Sequence, residues 1–264
     1  EQALDASNPD IASRFALIET AWEQCRFTGY GEAVQLIAKH VYGLDDITSE
    51  ALEAAKNVGL DRQQAGERLR ILRDVAKLEH VQIDNMQLAC KPDASGPEFF
   101  LYDLSWVDFV NASIEPSFIF KETHIELKTL DDLRQAASAL FSKYAPVAIA
   151  VKTQHAYERT LMWQARADSD AEKALQKQLA GHDLTLEEKL CLGDWCFARG
   201  IELAIEHNLP IKIHTGYYAG HSRMPLDFIR PSNLCELLKT YPQARFVLMH
   251  TGYPYGNEMI ALAK

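Results

Sequence analysis

The chain has 264 residues, a net charge of −10 and 47% hydrophobic residues. That much apolar material excludes global disorder, and the acidic balance argues against a nucleic-acid-binding surface. No run of about 18 apolar residues is present, so no membrane span is expected. The length suits a single α/β barrel. Five cysteines occur without a CxxC spacing. An odd number in so large a chain predicts free thiols, a reducing compartment and hence a cytoplasmic protein. Cys191 and Cys196 lie on a helical pattern and read as core thiols. No signal peptide is visible.

The first part of the chain reads as helix. "NPDIASRFALIETAWEQC" and "YGEAVQLIAKHVYG" carry apolar residues at three-to-four spacing. "TSEALEAAKNVGL" opens on Thr48 or Ser49 as a cap, and "DRQQAGERLRILRDVAKLEH" has Asp61 in that role. Residues 1–79 therefore form a helical insertion or subdomain.

The period then changes. Short strands are expected in "HVQIDNM" (80–86), in "PEFFLYDLSWVDFV" (97–110) and in "VAIAVK" (147–152). A helix over 130–146 separates the last two and stops at Pro146. Next come helices in "DAEKALQKQL" and "TLEEKLCLGDWCFARGIELAIEHN", the second with a Thr185/Glu188 capping box. Strand "IKIH" (211–214), a helix with Ser232 as cap, strand "RFVLMH" (245–250) and a helix in "NEMIALAK" complete the chain. Strands alternating with helices at this spacing make βα units and a parallel sheet, so residues 80–264 read as barrel units.

The same four residues, HTGY, follow two successive strands and place His214 and His250 36 positions apart. In a barrel, successive strand ends open on one mouth, where active sites lie. Imidazole is the commonest metal ligand and a common general base. Two of them at one mouth either share a divalent ion or divide ligation and proton transfer between them. Lys152 ends the preceding strand in the same way. It reads as a metal bridge, a ligand for a substrate anion, or half of an ion pair. Tyr157 and Arg159 follow it, and Arg159 has the fork to hold a carboxylate. Tyr217 and Tyr253 bring phenols to the mouth, and His221 and Arg223, on the loop after "IKIH", read equally as reaching the substrate from above and as solvated surface. Asp84 reads equally as a mouth residue and as a turn residue. GxGxxG, P-loop, GxSxG and HExxH motifs are absent.

The segments "VAIAVKTQHAYERTL", "LPIKIHTGYYAG" and "YPQARFVLMHTGYP", in this order, resemble the amidohydrolase superfamily, specifically its amidohydrolase-2-type branch. The resemblance implies a (β/α)8 TIM-type barrel, partial in this chain, with a helical insertion after its first strand. It also implies a divalent metal, most often zinc, with His214 as ligand and His250 as ligand or catalytic group. Lys152 lies where two-metal members carry a carboxylated lysine. The family's first-strand HxH is absent from the sequence, and its eighth-strand Asp is expected beyond Lys264. About five of eight strands are expected here, numbers two to six. The expected activity is hydrolysis of a small anionic substrate by a metal-activated water. A decarboxylase, a uronate-type isomerase and a non-catalytic scaffold are the alternatives. The expected partner is a small molecule rather than nucleic acid or membrane, and a homo-oligomer is compatible with the sequence.

Overall fold

The structure, a computed structural model, describes residues 10–61, 64, 66–84, 90, 96, 98–217 and 224–263. They fall in two compact units. One comes from the first 80 residues together with 94–99, the other from 81–93 and 100–264.

The first unit is helical. Its helices are α1 (Ile11–Ala16), α2 (Glu19–Cys25), α3 (Gly29–Tyr42), α4 (Ser49–Ala54), α5 (Lys56–Asp61) and α6 (Glu67–Leu69). Caps set their starts: Asp10 accepts from Ala12 N, Thr28 from Gly31 N and Thr48 from Ala51 N. Asp61 is the last residue of α5 rather than a cap. After α6 the chain widens into a π-helical turn, Arg70–Val75. Phe15, Trp22, Ala38, Ala55 and Phe99 are buried.

The second unit is α/β. Its sheet contains β1 (Val81–Ile83), β2 (Phe100–Ser105), β3 (Ala148–Thr153), β4 (Ile211–His214) and β5 (Phe246–Met249). All neighbours are parallel and the order is sequential, β1-β2-β3-β4-β5. Sequential parallel strands are the order of a curled half-barrel. Every predicted strand is present.

Register sorts the side chains by face. Ser105, Lys152 and Lys212 are aligned across β2, β3 and β4. Strand alternation puts His214 on the same face as Lys212, and Asp103 on that of Ser105. The opposite face is apolar, with Phe100, Tyr102, Leu104, Val151, Ile211 and Ile213 buried.

The helices of this unit are α7 (Val107–Val110), α8 (Pro116–Thr123), α9 (Leu130–Tyr144), α10 (Asp168–Leu179), α11 (Leu186–Glu206), α12 (Cys235–Thr240) and α13 (Gly256–Leu262). Thr129 and Thr185 start α9 and α11 with full capping boxes. Trp106, directly after β2, locks the layers. Its indole N–H donates to the Cys196 carbonyl at 2.9 Å, and its ring stacks on Phe109 at 4.0 Å. Gly200 of α11 is small by necessity, because a Cβ there would stand 2.3 Å from Trp106 Nε1. Ser232 does not cap α12. Pro231 opens a 3-10 turn, Pro231–Leu234, that holds Ser232 inside it, and α12 starts without a side-chain cap. Among the described residues, no helix is long and apolar enough to cross a membrane.

Candidate active site at the strand ends

The two HTGY segments meet. His214 is the last residue of β4, and His250 follows directly after β5. Their rings lie 4.5 Å apart between centroids, tilted by 59°. Gly216 permits this approach: a Cβ on it would stand 2.3 Å from the His250 Cβ. The glycine of the first segment thus makes room for the histidine of the second. His250 and Thr251 both adopt left-handed backbone, with φ of 61° and 51°. A β-branched residue there is strained, and such strain gathers at functional sites.

The protonation state of His214 is set by its surroundings. Its Nε2 lies 2.7 Å from the Gly216 carbonyl, which can only accept. The proton therefore sits on Nε2, and Nδ1 keeps a lone pair toward the Tyr157 hydroxyl at 3.3 Å. Burial pushes the His214 pKa down to about 4, with help from His250 and Lys152 and against the Gly216 hydrogen bond. The ring is therefore neutral at neutral pH. Tyr157 also packs its ring 4.5 Å from that of His214. It sits in a 3-10 turn after β3, His155–Tyr157. Burial, then Arg159 and His214, holds buried His155 well below the ordinary histidine range. Its Nδ1 shares a 2.9 Å hydrogen bond with Thr153 Oγ1.

Below this mouth the polar face of the sheet carries balanced charge. Lys212 contacts Asp103 and donates to Gln82 at 2.7 Å. Lys152 stands 3.5 Å from Asp84 and 3.4 Å from Gln154. Lys152 is thus the half of an ion pair that one reading of the sequence offered, and Asp84 is its partner. The contacts are long, so its ammonium is loosely held.

Arg159 is a correction. It does not present its fork to the mouth. It pairs with Asp194 at 2.5 Å and donates to the carbonyls of Val110, Met162 and Thr160. With 6% exposure it is spent on internal acceptors. Arg166 joins the same carboxylate at 3.0 Å. Tyr217 is 37% exposed, and its backbone N–H donates to the Tyr253 carbonyl at 2.9 Å, joining the loops after β4 and β5. Tyr253 is exposed. His221 and Arg223 lie outside the described residues.

Sequence reasoning missed Lys212, Asp103 and Asp194. Lys212 had a usable signal, since it sits two residues before His214 and shares its face. Asp194, inside an apolar helix, had none. The buried Cys90 and Cys196 are not nucleophiles: burial pushes Cys90 up to about 12 and Cys196 higher. All five cysteines are free. Two imidazoles are fewer than the three protein ligands of a catalytic zinc. Among the described residues no group of three His, Cys, Asp or Glu stands ready for a metal. His214 still suits one, being neutral, buried and pinned by a carbonyl on one nitrogen.

Known proteins resemble parts of this chain. A family model described as amidohydrolase matches residues 150–264. Over this segment the chain is similar to the amidohydrolase family. The matched segment contains β4, β5 and both HTGY sequences. Protein fluG of Emericella nidulans is 30% identical over 129 residues, which cover 45% of this chain and 15% of that protein. Among solved structures, uronate isomerase from Thermotoga maritima superposes with a TM-score of 0.71 at 14% identity, over 94% of this chain and 60% of its own. Glucuronate isomerase from Caulobacter crescentus gives 0.68 at 14% identity, over 91% and 56%. A Lactobacillus casei protein assigned as a metal-dependent hydrolase gives 0.64 at 14%, over 91% and 61%. At that identity the structures share the fold. The chain thus spans under two thirds of the length of each of these relatives.

Proposed function

We propose that the chain contributes to a metal-dependent hydrolase of amidohydrolase type, acting at the mouth formed by the ends of β3, β4 and β5. The observation that carries this is the contact of two imidazoles from successive strand ends, with His214 neutral and its tautomer fixed. His214 and His250 are the residues that would hold a divalent ion, with zinc the expected metal. Such an ion supplies a bound water of lowered pKa and polarises a carbonyl-like group.

The chain's own residues do the rest. The Gly216 carbonyl keeps the His214 proton on Nε2, leaving Nδ1 free as a donor of electrons. The Tyr157 hydroxyl, beside that nitrogen, orients a substrate oxygen or the water. Lys152, loosely held by Asp84 and Gln154, offers an N–H to a substrate anion. The exposed phenols of Tyr217 and Tyr253 frame the entrance. Five free thiols fit a reducing compartment such as the cytoplasm.

Isomerisation of a sugar acid is the second reading. It is favoured by the fold likeness to the two sugar-acid isomerases, and by a mouth whose His and Tyr can move protons without a nucleophilic water. A panel of small anionic lactones and amides, assayed beside uronates with and without chelator, separates them. Chelator-sensitive hydrolysis supports the first reading. Turnover of uronates alone replaces it with the second.

A further inference from the structure

A cavity of about 240 Å³ lies beside α7 and α8, outside the imidazole site. Its walls are mostly apolar: Phe109, Ile114, Phe118 and Ile119, with Asp108 and Glu115 among them. One face of Phe109 is already taken by Trp106, stacked at 4.0 Å. The half-buried Asp108 carboxyl is pushed above the usual carboxylate range by burial, then by Glu158 and Glu115. Asp108 and the exposed Glu115 line the cavity, and the exposed Glu158 adds its negative charge to their surroundings. Among the described residues, none of the three forms an ion pair, although arginines and lysines elsewhere in the unit pair freely.

Apolar aromatic walls with uncompensated negative charge complement one ligand chemistry. An anion is repelled, and a neutral apolar molecule leaves the half-buried Asp108 carboxylate without a counter-charge. A cation with an apolar body satisfies both halves, because its charge offsets Asp108 and its body covers the phenylalanines. We propose that this cavity binds an organic ammonium, the charge at Asp108 and the apolar portion against Phe109 and Phe118. Asp108 and Phe109 lie in α7, directly after the end of β2, so the cavity lies on the same βα-loop side of the sheet as His214. The proposal stands independently of the metal reading.

The test is calorimetric titration of the purified protein with 2-phenylethylammonium and, separately, with its neutral counterpart 2-phenylethanol. The ammonium should bind saturably, about tenfold or more tighter than the alcohol, as a charged hydrogen bond implies. Asp108→Asn should lose that advantage while melting at the same temperature or higher, since it relieves like-charge repulsion. Glu158→Gln should weaken the ammonium by a smaller factor. Equal binding of amine and alcohol would overturn the proposal. So would unchanged affinity in folded Asp108→Asn, or no saturation by either probe.

Discussion

Gly216 is the residue on which the two histidines depend. Adding one methyl group there brings a carbon to 2.3 Å from the His250 Cβ, so the imidazoles must separate. Gly216→Ala should lower divalent-metal affinity by about 10- to 100-fold, the scale of lost supporting interactions at metal sites. Competition with a metallochromic dye measures it, and unchanged affinity would mean that the contact is incidental. A second residue-scale expectation concerns acid. His155 and His214 are held neutral in the fold, whereas in the unfolded chain both titrate near 6.5. Above that pH neither state takes up the proton. As pH falls from 6.5 to about 4, the unfolded chain binds protons that the fold refuses. Stability is therefore complete above 6.5 and declines below it, by up to about 1.4 kcal/mol per pH unit for each histidine. Urea unfolding across that window reads the slope. A flat profile would show that the rings are not held neutral. The HTGY pair was legible in the sequence because a strand end fixes its own side chain. The Lys212–Asp103 pair was not, because it reaches across from β4 to β2 and only the register reveals it.

At the scale of elements, caps and ion pairs hold the scaffold that positions the mouth. Thr185 begins the 21-residue α11 with a reciprocal cap. Thr185→Ala should cost about 1 kcal/mol in denaturant unfolding without altering the site. Asp194 in the same helix binds Arg159 and Arg166 and so ties the loop after β3 to the helix layer. Removing that carboxylate leaves the buried Arg159 without a carboxylate partner and Arg166 with Glu187 alone. Asp194→Ala should cost about 3–5 kcal/mol by the same measurement, and a loss under about 1 kcal/mol would show that the cluster is solvated. The strands were legible from their β-branched runs, and α11 from its box. The role of Arg159 was not. An arginine near a predicted mouth suggests an anion site until its partner, 35 positions away inside a helix, is known. Ser232 failed for a local reason, because Pro231 begins a turn one residue too early for a cap.

For the whole molecule, the sequential parallel sheet separates an apolar face from a polar one, and the polar face leads up to the strand-end histidines. The sequence pattern carried the sheet and the order of its strands. It did not carry the pairing of Lys152 with Asp84, which joins β3 to the end of β1. The central claim is that His214 and His250 form part of a metal centre. Inductively coupled plasma mass spectrometry of the purified protein, before and after chelation and in His214→Ala, tests it most directly. The account predicts stoichiometric divalent metal, zinc first, that chelator removes and that His214→Ala fails to retain. Full metal content in a folded His214→Ala variant, or no divalent metal in the unmodified protein even after reconstitution with zinc, would contradict it.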